Sequence, residues 1–157
     1  MTRWPGPRPV DYQFRTSWHL HAPRDTVFEL LADVEHYPQW WPAVRRIEGV
    51  DEHTARASLR ARLPYTLVCT LTRVAQDPDR GVLEVRLEGD LVGFARWTVT
   101  GTATGTSALY EQQVTTTTRA MRVLAPVARP LFRLNHRWMM RDGYAGLRRR
   151  LESRRPI

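Results

Sequence analysis

An alternating strand that breaks into a proline-led helix constrains this chain more than any other feature. Tyr12, Phe14, Thr16, Trp18 and Leu20 share one side of an extended run, and Gln13, Arg15, Ser17, His19 and His21 share the other. Ala22-Pro23 ends the run. Proline suits the first turn of a helix, where its missing N–H is no loss. Val27, Phe28, Leu30, Leu31 and Val34 follow as a helical stripe, with Asp25 and Glu29 toward the helix start, where negative charge is favoured. Pro38 and Pro42 then bracket a second short helix or bend carrying Trp40 and Trp41. The order predicts a strand that opens a sheet and a helical hook that closes one end of it.

From there the pattern is strand after strand, over residues 44–50, 55–63, 65–74, 82–87, 93–101 and 107–118. Turn signals separate them at Asp51-Glu52-His53, Gln76 to Gly81, Glu88-Gly89-Asp90 and Gly101 to Thr106. With residues 12–21 this makes seven strands on short connections, so neighbours should pair antiparallel. Residues 120–153 switch to helical period, and Pro126 and Pro130 should make its beginning irregular or place a short turn before it. Leu131, Leu134 or Asn135, Trp138, Asp142, Ala145 and Leu147 recur there at three- and four-residue spacing. Gly143 and Gly146 would each weaken a lone helix by about 1 kcal/mol, and are expected where the helix lies close against other backbone. The fold class is α+β. A seven-stranded sheet cannot stay flat because strands twist, so it should curl around the long C-terminal helix, with two short helices between its first and second strands.

A chain of 157 residues is read as one domain, residues 11–153, with a loose leader at 1–10 and a basic tail at 154–157. The single cysteine, Cys69, excludes an intrachain disulfide and a thiolate metal cluster, and its apolar neighbours predict a buried, inert thiol. All 24 basic residues are arginine, and the formal charge is +8. Arginines cluster at Arg148, Arg149, Arg150, Arg154 and Arg155, which reads as a solvated helix face. Nucleic acid is not an expected partner, because the aromatics are not interleaved with the basic residues as a stacking platform requires. No apolar run approaches the ~20 residues a transmembrane helix needs, and a cytoplasmic location is the expectation. Monomer and homodimer are both left open.

Several motifs carry a resemblance to a known family. Ala22-Pro23-x-x-x-Val27-Phe28-x-Leu30-Leu31-x-Asp33, with Tyr37-Pro38-x-Trp40, resembles the opening of the START-like, Bet v 1-like (SRPBCC) superfamily. Its helix-grip fold also houses polyketide cyclases and aromatases. Gly89-Asp90-Leu91-x-Gly93 with Trp97 resembles paired strands of the polyketide cyclase/dehydrase-type members. Gly105-Thr106-x-Ala108-x-Tyr110 resembles their last hairpin, and Asn135-His136-x-Trp138-x-Met140-x-x-Gly143-x-x-Gly146-Leu147 their terminal helix. The resemblance covers about residues 12–152. It implies an internal cavity between sheet and terminal helix. Many members bind lipids, sterols, hormones or other hydrophobic molecules, so none of these motifs is specific to one reaction.

Parity nominates the cavity wall. Thr16 and Trp18 should face inward with Leu20; Tyr110, Gln112 and Val114 share a face, as do Trp97 and Val99. On the terminal helix, Leu131, Asn135, Trp138 and Asp142 should face the sheet. The expected ligand-binding residues are Trp18, Trp40, Tyr65, Trp97, Tyr110, Leu131, Asn135 and Trp138, and the expected ligand is a hydrophobic small molecule, lipid-like, aromatic or polyketide-like. Binding without turnover is the first expectation; cyclase or aromatase chemistry is the alternative. That chemistry needs an acid or base and carbonyl-polarising groups beside a polyketone, and Tyr65, Tyr110, Arg96, His136 and Asp142 are the candidates. His136 has the ordinary pKa nearest neutrality, but it follows Asn135 and is expected to point sideways in a structural or surface role. Asp142 could equally pair with Arg141 or Arg96. A further alternative, from another class, is an interaction module that sets its arginine-rich helix on an acidic partner or membrane surface. His19 and His21 stand at i and i+2 on the outward face, but no carboxylate completes a ligand set, so no metal is expected. No phosphate-binding loop and no cofactor are expected.

Overall fold

The computed structural model describes residues 12–60, 66–117 and 125–154. The expected leader, Tyr65 and the end of the basic tail lie outside these. Among the described residues, seven strands form one antiparallel sheet: β1 (Tyr12–Leu20), β2 (Val44–Gly49), β3 (Thr54–Leu59), β4 (Leu67–Asp77), β5 (Val82–Gly89), β6 (Leu91–Thr102) and β7 (Gly105–Thr116). Their order is β1-β7-β6-β5-β4-β3-β2, so β1 crosses over to pair with the last strand. Helix α1 (Arg24–Ala32) and a 3-10 helix (Val34–Gln39) fill the crossover, and α2 (Ala125–Ser153) follows the sheet. This is the helix-grip arrangement expected from the sequence.

The alternation in β1 holds. Tyr12, Trp18 and Leu20 are buried while Gln13, Arg15, Ser17 and His19 are exposed. Pro23 takes the N-cap of α1 in extended conformation, one residue before its expected place, and its carbonyl accepts the Val27 N–H at 3.1 Å. The sheet bends where regular pairing is interrupted, between Val44 and Arg46 in β2 and between Arg73 and Ala75 in β4. At Gly93 in β6 the φ is +155°, and a Cβ there would stand 1.9 Å from the Gln113 carbonyl oxygen of β7. Only glycine admits that approach. Asp90 clasps the β5–β6 turn to its neighbours. Its N–H donates to the Val68 carbonyl at 3.1 Å, its Oδ2 accepts the Val68 N–H at 2.8 Å, and its own carbonyl accepts the Thr117 N–H at 3.2 Å.

The inward stripe of α2 differs from the expected one by about a residue. Phe132, His136, Met140, Gly143, Leu147 and Leu151 are buried, at spacings of three and four that keep them on one face. Leu131 is 47% exposed, and Leu134 and Val127 are also exposed. A hydropathy count follows the exposed leucines and misses a stripe that includes a histidine and a glycine. The helix runs through Pro130 instead of starting irregularly there. The glycines behave as expected. A Cβ on Gly146 would lie 1.7 Å from the Trp40 carbonyl oxygen, and one on Gly143 would lie 2.6 Å from the Trp41 ring. The Trp41 Nε1–H donates to the Met139 carbonyl at 2.9 Å. The bend after α1 thereby grips the second half of α2.

Packing falls into two clusters. One joins α1, the 3-10 helix and the C-terminal half of α2 around Trp18, Trp40, Trp41 and Trp97. The other joins Tyr12, Leu87, Leu91 and Val114 to Phe132 near the start of α2. Leu59 and Ala95 touch both.

Candidate functional site: an apolar cavity with a neutral polar trio

Between the two clusters lies a cavity of about 170 Å³. That is an order of magnitude beyond the roughly 10–15 Å³ needed to hold one water. β1 and α2 run close together through Tyr12 on Phe132, Phe14 on His136 and Trp18 on Tyr144, with ring centroids 4.4, 3.6 and 5.8 Å apart. The sheet curves away from the helix toward β2–β5, and the hollow occupies the difference. Its apolar wall includes Leu59, Leu71, Val85, Ala95, Trp97 and Met139. The lining reaches the surface at the exposed residues Arg60, Arg73 and Gln76.

Three polar side chains meet in the wall under α2. The Tyr110 hydroxyl donates to Gln112 Oε1 at 2.6 Å, and His136 Nε2 lies 3.2 Å from the same oxygen. A carbonyl oxygen can only accept, so this network puts the imidazole proton on Nε2 and leaves Nδ1 an acceptor. The His136 ring stacks on Phe14 with planes 5° apart. Burial pushes the His136 pKa down to about 3. Burial raises the Tyr110 phenol well above its ordinary value, and also raises Tyr37, with Tyr110 adding to the effect there. At neutral pH the trio is uncharged, because removing charge from water is costly where apolar atoms surround it. Cys69 is buried, and burial raises its pKa, as an inert thiol requires.

The structure brings together some of the expected site residues and separates others. Trp97, Tyr110 and Asn135 line the cavity. Trp18 and Trp40 are packed in the aromatic cluster outside the lining. Leu131 faces solvent, and Trp138 and Asp142 are half-buried outside the lining. Arg96 is a correction: strand alternation puts it opposite Trp97, where Nε donates to Glu84 Oε1 at 2.6 Å and the guanidinium lies 5.0 Å from the Phe94 ring centre. His136 is the reverse correction. It does not point sideways but lies 6% exposed on the cavity wall. Gln112, which parity put on the face of Tyr110, lines the cavity too, as do Tyr37 and Trp41, which were not expected there. His19 and His21 hold a turn, at 3.0 Å from Thr104 Oγ1 and 3.3 Å from its carbonyl. Among the described residues, no group of three or more His, Cys, Asp or Glu side chains is placed to hold a metal.

A curved antiparallel sheet gripping a long helix over an apolar hollow defines the helix-grip fold. This chain belongs to the family described as polyketide cyclase / dehydrase and lipid transport, which matches residues 12–152. Its fold is similar to that of the Zhui aromatase/cyclase from Streptomyces sp. R1128, with TM-score 0.78 and 18% identity over 91% of this chain and 94% of that one. A START superfamily protein from Mycobacterium smegmatis gives TM-score 0.72 and 15% identity over 90% and 97%. The di-domain ARO/CYC BexL from the BE-7585A biosynthetic pathway gives 0.72 and 17% over 92% of this chain and 51% of that one. At such identities the likeness establishes the fold alone. No curated protein matches closely enough to count as a relative. No described helix is long and apolar enough to cross a membrane.

Proposed function

We propose that this protein binds a hydrophobic small molecule in the cavity between sheet and α2, with the Tyr110–Gln112–His136 trio meeting a carbonyl or hydroxyl on it. The observation that carries this reading is an apolar cavity whose buried polar groups are neutral and hydrogen-bonded. Burying the ligand gains about 25 cal/mol per Å² of apolar surface, while the trio supplies orientation. Arg60 and Arg73, at the surface end of the lining, suit an acidic group on the ligand's outer end. The test is a melting-temperature screen against fatty acids, sterols and aromatic polyketides. At least one class is expected to raise the melting temperature in a dose-dependent way. No rise with any class defeats the proposal.

Cyclisation or aromatisation of a poly-β-ketone is the second reading, favoured by the family and by Tyr110 and His136 sharing one wall. A catalytic base works best with a pKa near the operating pH, and His136 lies near 3. Binding therefore ranks first. Turnover of such a substrate that vanishes in Tyr110→Phe would reverse the ranking.

A further inference from the structure

A second concavity, of about 680 Å³, runs along the outside of the molecule between β1 and α2. Arg15 of β1 and Arg133, Arg137 and Arg141 of α2 line it, and no carboxylate does among the described residues. None of these four arginines makes an ion pair or hydrogen bond with a described residue. Among the described residues, β1 is an edge strand, paired with β7 alone. The Tyr144 hydroxyl donates to the His19 carbonyl at 2.8 Å, so that carbonyl points away from β7. Alternate residues of an antiparallel strand present their backbone groups to the same side. Gln13, Arg15 and Ser17 therefore offer N–H and C=O groups to the groove.

We propose that this groove takes an extended acidic segment of a partner protein, which pairs with the free edge of β1 and sets alternate carboxylates against the arginines of α2. The spacing fits. Arg133, Arg137 and Arg141 are four residues apart, a rise of about 6 Å per step along a helix. A strand repeats one face about every 6.6–6.8 Å. β1 and α2 run side by side in the same direction from Tyr12 and Phe132 to Trp18 and Tyr144, so both ladders are in reach of one extended peptide. Strand addition of this kind takes affinity from the main chain and specificity from alternate side chains.

Other occupants suit the groove less. The first ten residues hold three prolines, two arginines and no carboxylate, so they complement neither the charge nor the donors. A second copy brings another +8. Single-stranded nucleic acid needs open aromatic faces, but Phe14 is stacked on His136 and Trp18 is buried against Trp41 and Trp97. A membrane surface needs protruding apolar tips beside the charges, but the exposed Val127, Leu131 and Leu134 of α2 lie outside the lining of this groove, and its arginines flank a recess.

The test uses a labelled eight-residue peptide of alternating valine and glutamate, titrated into the full chain by fluorescence anisotropy. Saturable binding is expected that weakens as salt rises, falls at least tenfold in Arg133→Glu/Arg137→Glu, and falls severalfold in the milder Arg141→Gln. All three positions are exposed, so the variants should keep the wild-type melting curve. Amide exchange at Gln13, Arg15 and Ser17 should slow on binding. Equal binding of a peptide N-methylated along its pairing edge would overturn the proposal. So would unchanged affinity in the charge reversal, or tighter binding to oligo-dT or phosphatidylserine vesicles. Cavity ligands should still raise the melting temperature of the double variant, so this test and that of the cavity fail independently.

Discussion

His136 is a titratable side chain held where its charged form is costly, and that gives it a measurable signature. Its pKa is pushed down to about 3 in the folded chain by burial, against about 6.5 for an unperturbed histidine. Between those values the unfolded chain binds a proton that the folded chain does not. Stability therefore rises with pH through that window, is fully present above about 6.5, and is lost as pH falls toward 3. One such residue gives a slope approaching 1.4 kcal/mol per pH unit. Urea unfolding from pH 4 to 6 is expected to show this slope in the wild type and a flatter one in His136→Phe; parallel curves would mean that His136 is charged inside the fold. The Tyr110 proton goes to Gln112, so its phenol oxygen is left to accept; Tyr110→Phe should weaken a hydroxyl-bearing ligand by about tenfold, the worth of one hydrogen bond, and leave a hydrocarbon probe unaffected in isothermal titration. Tyr110 and Trp97 were legible in the sequence because a strand's two-residue period points them inward. Arg96 was chosen for its chemistry against that same period, since it adjoins Trp97. Trp18 and Trp40 show the limit: a buried tryptophan reads alike whether it borders a void or a neighbouring ring.

Among the elements, α2 departs most from what its sequence suggests. Apolar residues occur around much of its first half, so periodicity alone did not choose the buried face; contacts with Phe14, Trp41 and the Trp40 carbonyl do. An alanine normally stabilises a helix by about 1 kcal/mol relative to glycine. At Gly146 the added methyl would meet the Trp40 carbonyl at 1.7 Å, and backbone cannot rotate aside. Overpacking costs about 1–3 kcal/mol, occasionally more, so Gly146→Ala should lower the melting temperature by several degrees. Ala145→Gly, one residue away and exposed, should lose only about 1 kcal/mol of helix propensity. If Gly146→Ala were instead stabilising, α2 would not be gripped by the bend. The strands were the most legible part of the fold, because alternation and turn residues specify them locally. The bends at β2 and β4 were not, because they depend on pairing between strands.

At the scale of the whole molecule, the open question is whether the space between the two clusters receives a ligand or is merely loose. Ala95 can decide it. It lies on β6 opposite Gln112 of β7, touches both clusters and borders the cavity. In a well-packed core, Ala95→Phe would force side chains off their rotamers at about 1–3 kcal/mol. Where space is open, the ring instead gains contacts with walls that lack them, and the melting temperature should hold or rise. The same ring would occupy the volume beside the trio and exclude a ligand. In the wild type, a ligand at a hundred times its dissociation constant stabilises by about 2.7 kcal/mol, a rise of roughly 5–10 °C for a chain of this length. In Ala95→Phe that rise should vanish while the unliganded protein stays as stable as before. A variant that melts several degrees lower, or one that still responds to the same ligand, would place the binding elsewhere and leave the hollow a packing defect.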